Sequence, residues 1–312
     1  MKPACGILLL GSILFGAASS VSWITALGGT VTRDRSGRIT GVNLATSWVT
    51  DSDLPKLAAE PALTRLDLSM TRITDRGLLG LKPLSNLTDV NLYYAETITD
   101  QGLAVLKYWK RLKRLNLRGT KLTDSTLQIL NGLTTLEFLD IGFAQVTDSG
   151  LSQLTALANL KEFAVGGNKL TDAGLQTLRL MPSLTSLDLS GAQRTDSGLW
   201  SVSLTESGLE TLATLKELQH LRLNGIAVSP LGLSKLTGLT KLTRLDLQSC
   251  ARITDDVVPV LKSWPALRIV DLSATAVTEA GIARLRQACP NLRVLYSKFQ
   301  ATPPAMPNGP AN

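Results

Sequence analysis

The sequence predicts an α/β solenoid: strand–turn–helix units stacked into one long domain. Three observations carry this. Units begin at Ile39, Leu63, Leu87, Leu112, Leu136, Leu160, Leu184, Leu218, Leu242 and Leu267, with a partial unit from Leu292. Six of the ten full units are 24 residues long, three are 25 and one is 34, and self-similarity at such a period marks a repeat architecture. Each unit opens with apolar residues in its first, fourth and sixth places, as in Leu63, Leu66 and Leu68. The fourth and sixth share one face of a strand, because strand side chains alternate. Eight of the ten full units then carry Thr-Asp, as Thr74-Asp75, followed by apolar residues at helical spacing such as Leu78, Leu81 and Leu84.

Residues 1–22 stand outside the repeat. Lys2 gives a basic start, 7–15 is an apolar run broken only by Gly11 and Ser12, and small residues follow from Gly16. This reads as a secretory signal peptide, too short to span a membrane stably; the alternatives are an uncleaved anchor and an apolar N-terminal strand. Cys5 precedes the apolar run, so a lipoprotein cleavage site is not indicated. Residues 23–38 read as an N-terminal cap, with β-prone Thr30-Val31-Thr32-Arg33 and a turn at Asp34-Arg35-Ser36-Gly37 before the first regular strand. A hairpin there covers the open end of the core, as terminal repeats require. The solenoid runs over 39–296. Residues 297–312, with Pro303, Pro304, Pro307 and Pro310, read as a disordered tail.

Within a unit, a Thr or Asp just before the helical pattern reads as an N-cap, worth about 1 kcal/mol. The recurrent Asp is therefore taken as repeated capping rather than an acid cluster. The unit at Leu184 departs most: Thr195-Asp196-Ser197-Gly198-Leu199 is echoed by Thr205-Glu206-Ser207-Gly208-Leu209. This predicts a local duplication that lengthens the helical side, with 200–204 a protruding loop or an extra helical turn. It is read as a tolerated insertion or, alternatively, as a kink or second binding feature. In the next unit Ser229-Pro230 replaces Thr-Asp, and Pro suits the first helical position.

The recurring Thr-x-Ile/Val-Thr-Asp-x-Gly-Leu pattern, as in Thr71-Arg72-Ile73-Thr74-Asp75-Arg76-Gly77-Leu78, resembles the leucine-rich repeat family over residues 39–296. The form is similar to that of bacterial extracytoplasmic repeat proteins. Cys250-Ala251-Arg252-Ile253-Thr254-Asp255 and Ala288-Cys289-Pro290-Asn291-Leu292 resemble the cysteine-containing subtype of F-box adaptors. The resemblance implies a right-handed horseshoe with a parallel sheet on the concave face and short helices on the convex face.

Composition narrows the function. Formal net charge is +7 over 312 residues, and no run of five or more basic residues occurs, so neither nucleic-acid nor membrane affinity is indicated. Three cysteines are no disulfide framework, and Cys250 and Cys289 read as small buried apolar residues. With one histidine and no clustered cysteines, no metal or cofactor is expected.

The third, fifth and seventh places of each strand point to the concave face. The third-place ladder runs from Gly41 through Arg65, Asp89, Arg114, Phe138, Glu162, Ser186, His220, Arg244 and Ile269 to Val294. The fifth-place ladder runs from Asn43 to Tyr296 and is rich in Asp and Asn, whose side chains can bond to one another. The richest patch combines Tyr93, Arg114, Arg118, Phe138 and Asp140, with Tyr94 and Phe143 in the eighth place at the rim or packed into the turn. Tyr and Arg are enriched at binding hot spots. His220 neighbours Asp188, Ser190 or Asp246, but no nucleophile elbow, phosphate loop or paired-carboxylate motif accompanies it. The expectation is a non-enzymatic module, secreted or periplasmic, that binds a protein or a glycan on its concave face. The alternative is an intracellular substrate-recognition adaptor of a ubiquitin ligase. That family carries a helical domain ahead of its repeats, for which residues 1–38 leave no room.

Overall fold

Alternation along a strand decides where each side chain goes, and the unit uses it over only three residues. The computed structural model describes residues 21–298; the expected signal segment up to residue 20 and the expected tail from residue 299 lie outside the described residues. A short helix, Ser22–Ala26, precedes β1 (Thr30–Arg33), which pairs antiparallel with β2 (Ile39–Asn43). Then come β3 (Arg65–Asp67), β4 (Asp89–Asn91), β5 (Arg114–Asn116), β6 (Phe138–Asp140), β7 (Glu162–Ala164) and β8 (Ser186–Asp188). Two further strands, β9 (Ala192–Thr195) and β10 (Gly198–Ser201), stand apart. β11 (His220–Arg222), β12 (Arg244–Asp246), β13 (Ile269–Asp271) and β14 (Arg293–Leu295) complete a twelve-stranded sheet. From β2 to β14 every pairing in that sheet is parallel and in register, so the fold is an open α/β solenoid.

From β3 to β13 the middle residue of each three-residue strand, such as Leu66, Leu115 or Leu139, is buried with the first- and sixth-place leucines in one continuous core. Two tryptophans, Trp109 and Trp264, fill equivalent places in that core. Their indole N–H groups donate to the carbonyls of Leu81 and Leu236, at 3.4 and 3.0 Å.

A left-handed residue in the eighth place turns the chain off the sheet in every full unit. Four are glycine, at 119, 167, 191 and 225; the others are Thr46, Met70, Tyr94, Phe143, Ser249 and Ala274, with φ between 50° and 60°. The fifth-place side chain supports the same turn. Asn43, Asp67, Asn91, Asn116, Asp140, Asp188 and Asp271 each accept from the backbone N–H two residues on, at 2.8–3.1 Å. The Asp/Asn ladder is thus chiefly a row of Asx turns, and Asn91 donates sideways to Asp67 at 2.9 Å.

The recurrent Asp does not cap its own helix. Thr does: Thr99, Thr123, Thr171 and Thr205 accept from the amide two residues on. The Asp reaches sideways to the next unit, where its two oxygens take the amide N–H and the hydroxyl of the following Thr. This clasp joins Asp51 to Thr74, Asp75 to Thr99, Asp100 to Thr123, Asp124 to Thr147, Asp148 to Thr171, Asp172 to Thr205 and Asp255 to Thr278, with amide distances of 2.7–3.0 Å. The clasp also explains the glycine of Thr-Asp-x-Gly. A Cβ on Gly77, Gly102, Gly150, Gly174, Gly208 or Gly281 would lie 2.1–2.3 Å from a clasp carboxylate oxygen of the preceding unit. Where Thr126 replaces that glycine, its hydroxyl donates to Asp100 instead. At Asp255 the bonds from Thr278, together with Arg284, hold the carboxyl below the usual aspartate range. Its stabilising effect is therefore complete above the unfolded pKa and fades as pH falls through the lower folded value.

Two further expectations are corrected. Residues 192–201 form an antiparallel hairpin, β9–β10, not a lengthened helical side. Asp196-Ser197 followed by Gly198 at φ 111° makes the tight turn. The helix starts instead at Glu206 behind Thr205, the threonine that Asp172 can reach. Gln193 pins the hairpin base by donating to the carbonyls of Ala144 and Gly167, at 2.6 and 2.7 Å. In the partial unit, Arg293 rather than Val294 stands beside Ile269, and Leu295 rather than Tyr296 beside Asp271. The buried side chain there is Leu292, one place out of phase with the earlier units. Cys250 is buried and burial pushes its thiol up to about 11, whereas Cys289 is half-exposed; the two are free thiols.

Candidate interaction site on the concave face

The sheet positions two Arg–aromatic–acid groups side by side. Arg114, on β5, lays its guanidinium 4.2 Å from the centre of the Phe138 ring on β6 and reaches Glu162 on β7 at 3.1 Å. Arg118, just beyond β5, lies 4.4 Å from the Phe143 ring and 3.6 Å from Asp140. The two groups differ in burial. Arg114 and Glu162 have side chains 48% and 46% exposed, against 21% and 13% for Arg118 and Asp140. An exposed ion pair contributes about 0–1 kcal/mol, so Arg114 can exchange Glu162 for a partner group at little cost. Arg118 and Asp140 are set into the wall.

Burial pushes the Asp140 carboxyl above the ordinary aspartate range; the Gly142 amide and Arg118 oppose that rise, and Asp188 adds to it. Tyr93 is half-buried and meets Tyr94 edge to face, with ring centres 4.6 Å apart. Tyr94 and Phe143 are half-buried too, and each ring rests on glycine of the next units. A Cβ on Gly119 would lie 2.9 Å from the Tyr94 ring, and one on Gly191 2.5 Å from the Phe143 ring.

Phe138 stands between two shallow grooves of about 380 Å³ each. One runs toward the N-terminal edge past Arg114, Asp89 and Arg65. The other runs past Asp140, Glu162 and Asp188 to His220 and Arg222. The five residues singled out from the sequence are therefore divided. Exposed Arg114 and half-buried Phe138 lie together, Arg118 and Asp140 line the wall of the second groove, and Tyr93 lines neither groove. Sequence reasoning passed over Glu162, whose place in the third-place ladder two strands from Arg114 could have revealed it. It also passed over Arg222, which replaces the usual Asx residue and bridges Asp188 and Asp246 at 3.5 and 3.3 Å. His220 is exposed between Ser186 and Arg244 in the ladder. Among the described residues no group of three His, Cys, Asp or Glu is placed to hold a metal, and no helix is long and apolar enough to cross a membrane.

No curated protein matches the chain at the sequence level. Among solved structures it is similar to an internalin (inlF) from Listeria monocytogenes, at 21% identity and a TM-score of 0.58 over 80% of this chain and 72% of that one. It is also similar to internalin C2 (inlC2) from the same organism, at 25% identity and a TM-score of 0.52 over 67% of this chain and 81% of that one. The family model described as Leucine Rich repeat matches residues 61–82, 132–154, 156–178 and 238–256. With matches in four of its units and the same stacked architecture in between, the chain is a leucine-rich repeat protein.

Proposed function

We propose that this protein is an exported, non-enzymatic binding module that holds a partner protein on its concave face, with Phe138 and Arg114 as the central anchors. The observation that carries the reading is the Arg114–Phe138–Glu162 group, a rigidly mounted ring and an exchangeable guanidinium between two grooves. A ring of this kind supplies large contact area at small conformational entropy, and Arg beside it supplies directional pairing to a carboxylate or carbonyl. Arg118 and Asp140 line the groove beside it. The repeat family and the internalin-like architecture support a role in protein recognition.

Phe138→Ala and Arg114→Ala are each expected to weaken partner binding roughly tenfold or more, with a melting temperature close to that of the unaltered protein. Binding by both variants at full strength contradicts the reading. Export rests on the signal-like pattern of residues 1–22. Because Val21 and Ile24 are packed in the core, we place the cleavage before Val21. N-terminal sequencing of the protein recovered outside the cytoplasm tests this, and an intact Met1 contradicts it.

A further inference from the structure

A second surface lies off the sheet, where the chain leaves β2 and β3 for the helical side. A concavity of about 810 Å³ there is lined by Trp48, Pro55, Met70, Arg72 and Arg76, among others. Trp48 is 77% exposed, the most exposed large apolar residue among those described, and Met70 beside it is 57% exposed. Met70 occupies the left-handed eighth place at φ 55°. At the same place Tyr94 and Phe143 rest against glycine of the next unit. Met70 has no such cradle, because its successor is Tyr94, and its side chain stands in solvent. Packing within the fold therefore accounts for neither side chain.

The charges around this apolar floor are unequal, with Arg72 and Arg76 set against one lining carboxylate, Asp51. Arg72 and Arg76 form no ion pair among the described residues. The nearby carboxylates are already engaged: Asp51 accepts from Thr74, and Asp53 accepts from Thr50 and Lys56. Two guanidinium groups thus flank an exposed indole and thioether with no free acid to answer them. Arginine prefers bidentate pairing with carboxylates, and Trp and Arg together form the typical energetic centre of an interface.

We propose that this concavity is a docking site for an acidic peptide segment of a partner protein. One apolar side chain seats against Trp48 and Met70, and carboxylates on either side pair with Arg72 and Arg76. The site is separate from the concave face and does not depend on the reading given for it.

The test is selection of a random-peptide phage library on the immobilised full chain, followed by affinity measurement of the enriched peptides. Enriched sequences should carry an apolar residue flanked by Asp or Glu. They should lose roughly tenfold or more in affinity against Trp48→Ala, and against Arg72→Glu combined with Arg76→Glu. All three positions are on the surface, and unchanged melting temperatures would confirm that the variants fold. Enrichment without acidic residues, no enrichment at all, or equal affinity for the variants overturns the proposal. A peptide whose binding falls with Phe138→Ala and not with Trp48→Ala belongs to the concave face, and also overturns it.

Discussion

Gly166→Ala is expected to destabilise the protein by about 3 kcal/mol or more, although it adds a single methyl group. A Cβ at this position would lie 1.8 Å from the carbonyl oxygen of Ser190 and 2.7 Å from that residue's carbonyl carbon and nitrogen. All three are backbone atoms of the next unit, so no rotamer change relieves the contact. The two strands must separate, and the separation strains the neighbouring turn, where Phe143 donates its amide to the Gly166 carbonyl at 2.9 Å. Gly132→Ala is the control. A Cβ there meets only the Ile129 carbonyl at 3.3 Å and the end of Lys110, and the effect should stay within about 0.5 kcal/mol. Denaturant midpoints of the two variants check both statements. Equal midpoints would mean that the close approach at Gly166 relaxes freely.

The second large effect concerns the clasp. Asp124 accepts from the Thr147 amide at 2.8 Å and from its hydroxyl at 2.6 Å. Asp124→Ala should cost about 2 kcal/mol, because it removes a charged acceptor and leaves a half-buried amide unpaired. Gly150→Ala should also destabilise, because its Cβ would lie 2.1 Å from Asp124 Oδ1. The combination is the sharper prediction. Once Asp124 is alanine the methyl at 150 has room, with only the end of Leu127 to give way. Alanine then favours the helix over glycine by about 1 kcal/mol. Gly150→Ala should therefore change sign, destabilising in the natural background and stabilising when Asp124 is absent. Additive effects in a double-mutant cycle would show that the glycine is not there to admit the carboxylate.

This cycle also shows why part of the structure was readable in advance and part was not. The strand places, the buried leucines and the Thr caps follow from periods of two and about 3.6 residues, which any one unit displays. The clasp was visible as Thr-Asp in eight of the ten full units, five of them with the glycine two places on, but within one unit Asp after Thr is indistinguishable from a capping residue. Its true partner lies one unit away, and the glycine that admits it belongs to that same neighbour. The hairpin at 192–201 was missed for a related reason. Thr195-Asp196 and Thr205-Glu206 are locally equivalent helix starts, and only the reach of Asp172 selects Thr205. At the concave face the ladder correctly brought Arg114 and Phe138 together. Their separation from Arg118 and Asp140 depended on side-chain stacking and burial, which strand alternation does not encode.

If the concave face around Phe138 holds the partner, site-specific photo-crosslinking from that position captures it. A photoreactive phenylalanine analogue is placed at Phe138 in one protein and at Gln153, exposed on the helical side, in another. Each is irradiated where the protein naturally resides. A discrete adduct from position 138 and none from position 153 is expected; an adduct from position 153 alone would place the partner on the helical side instead.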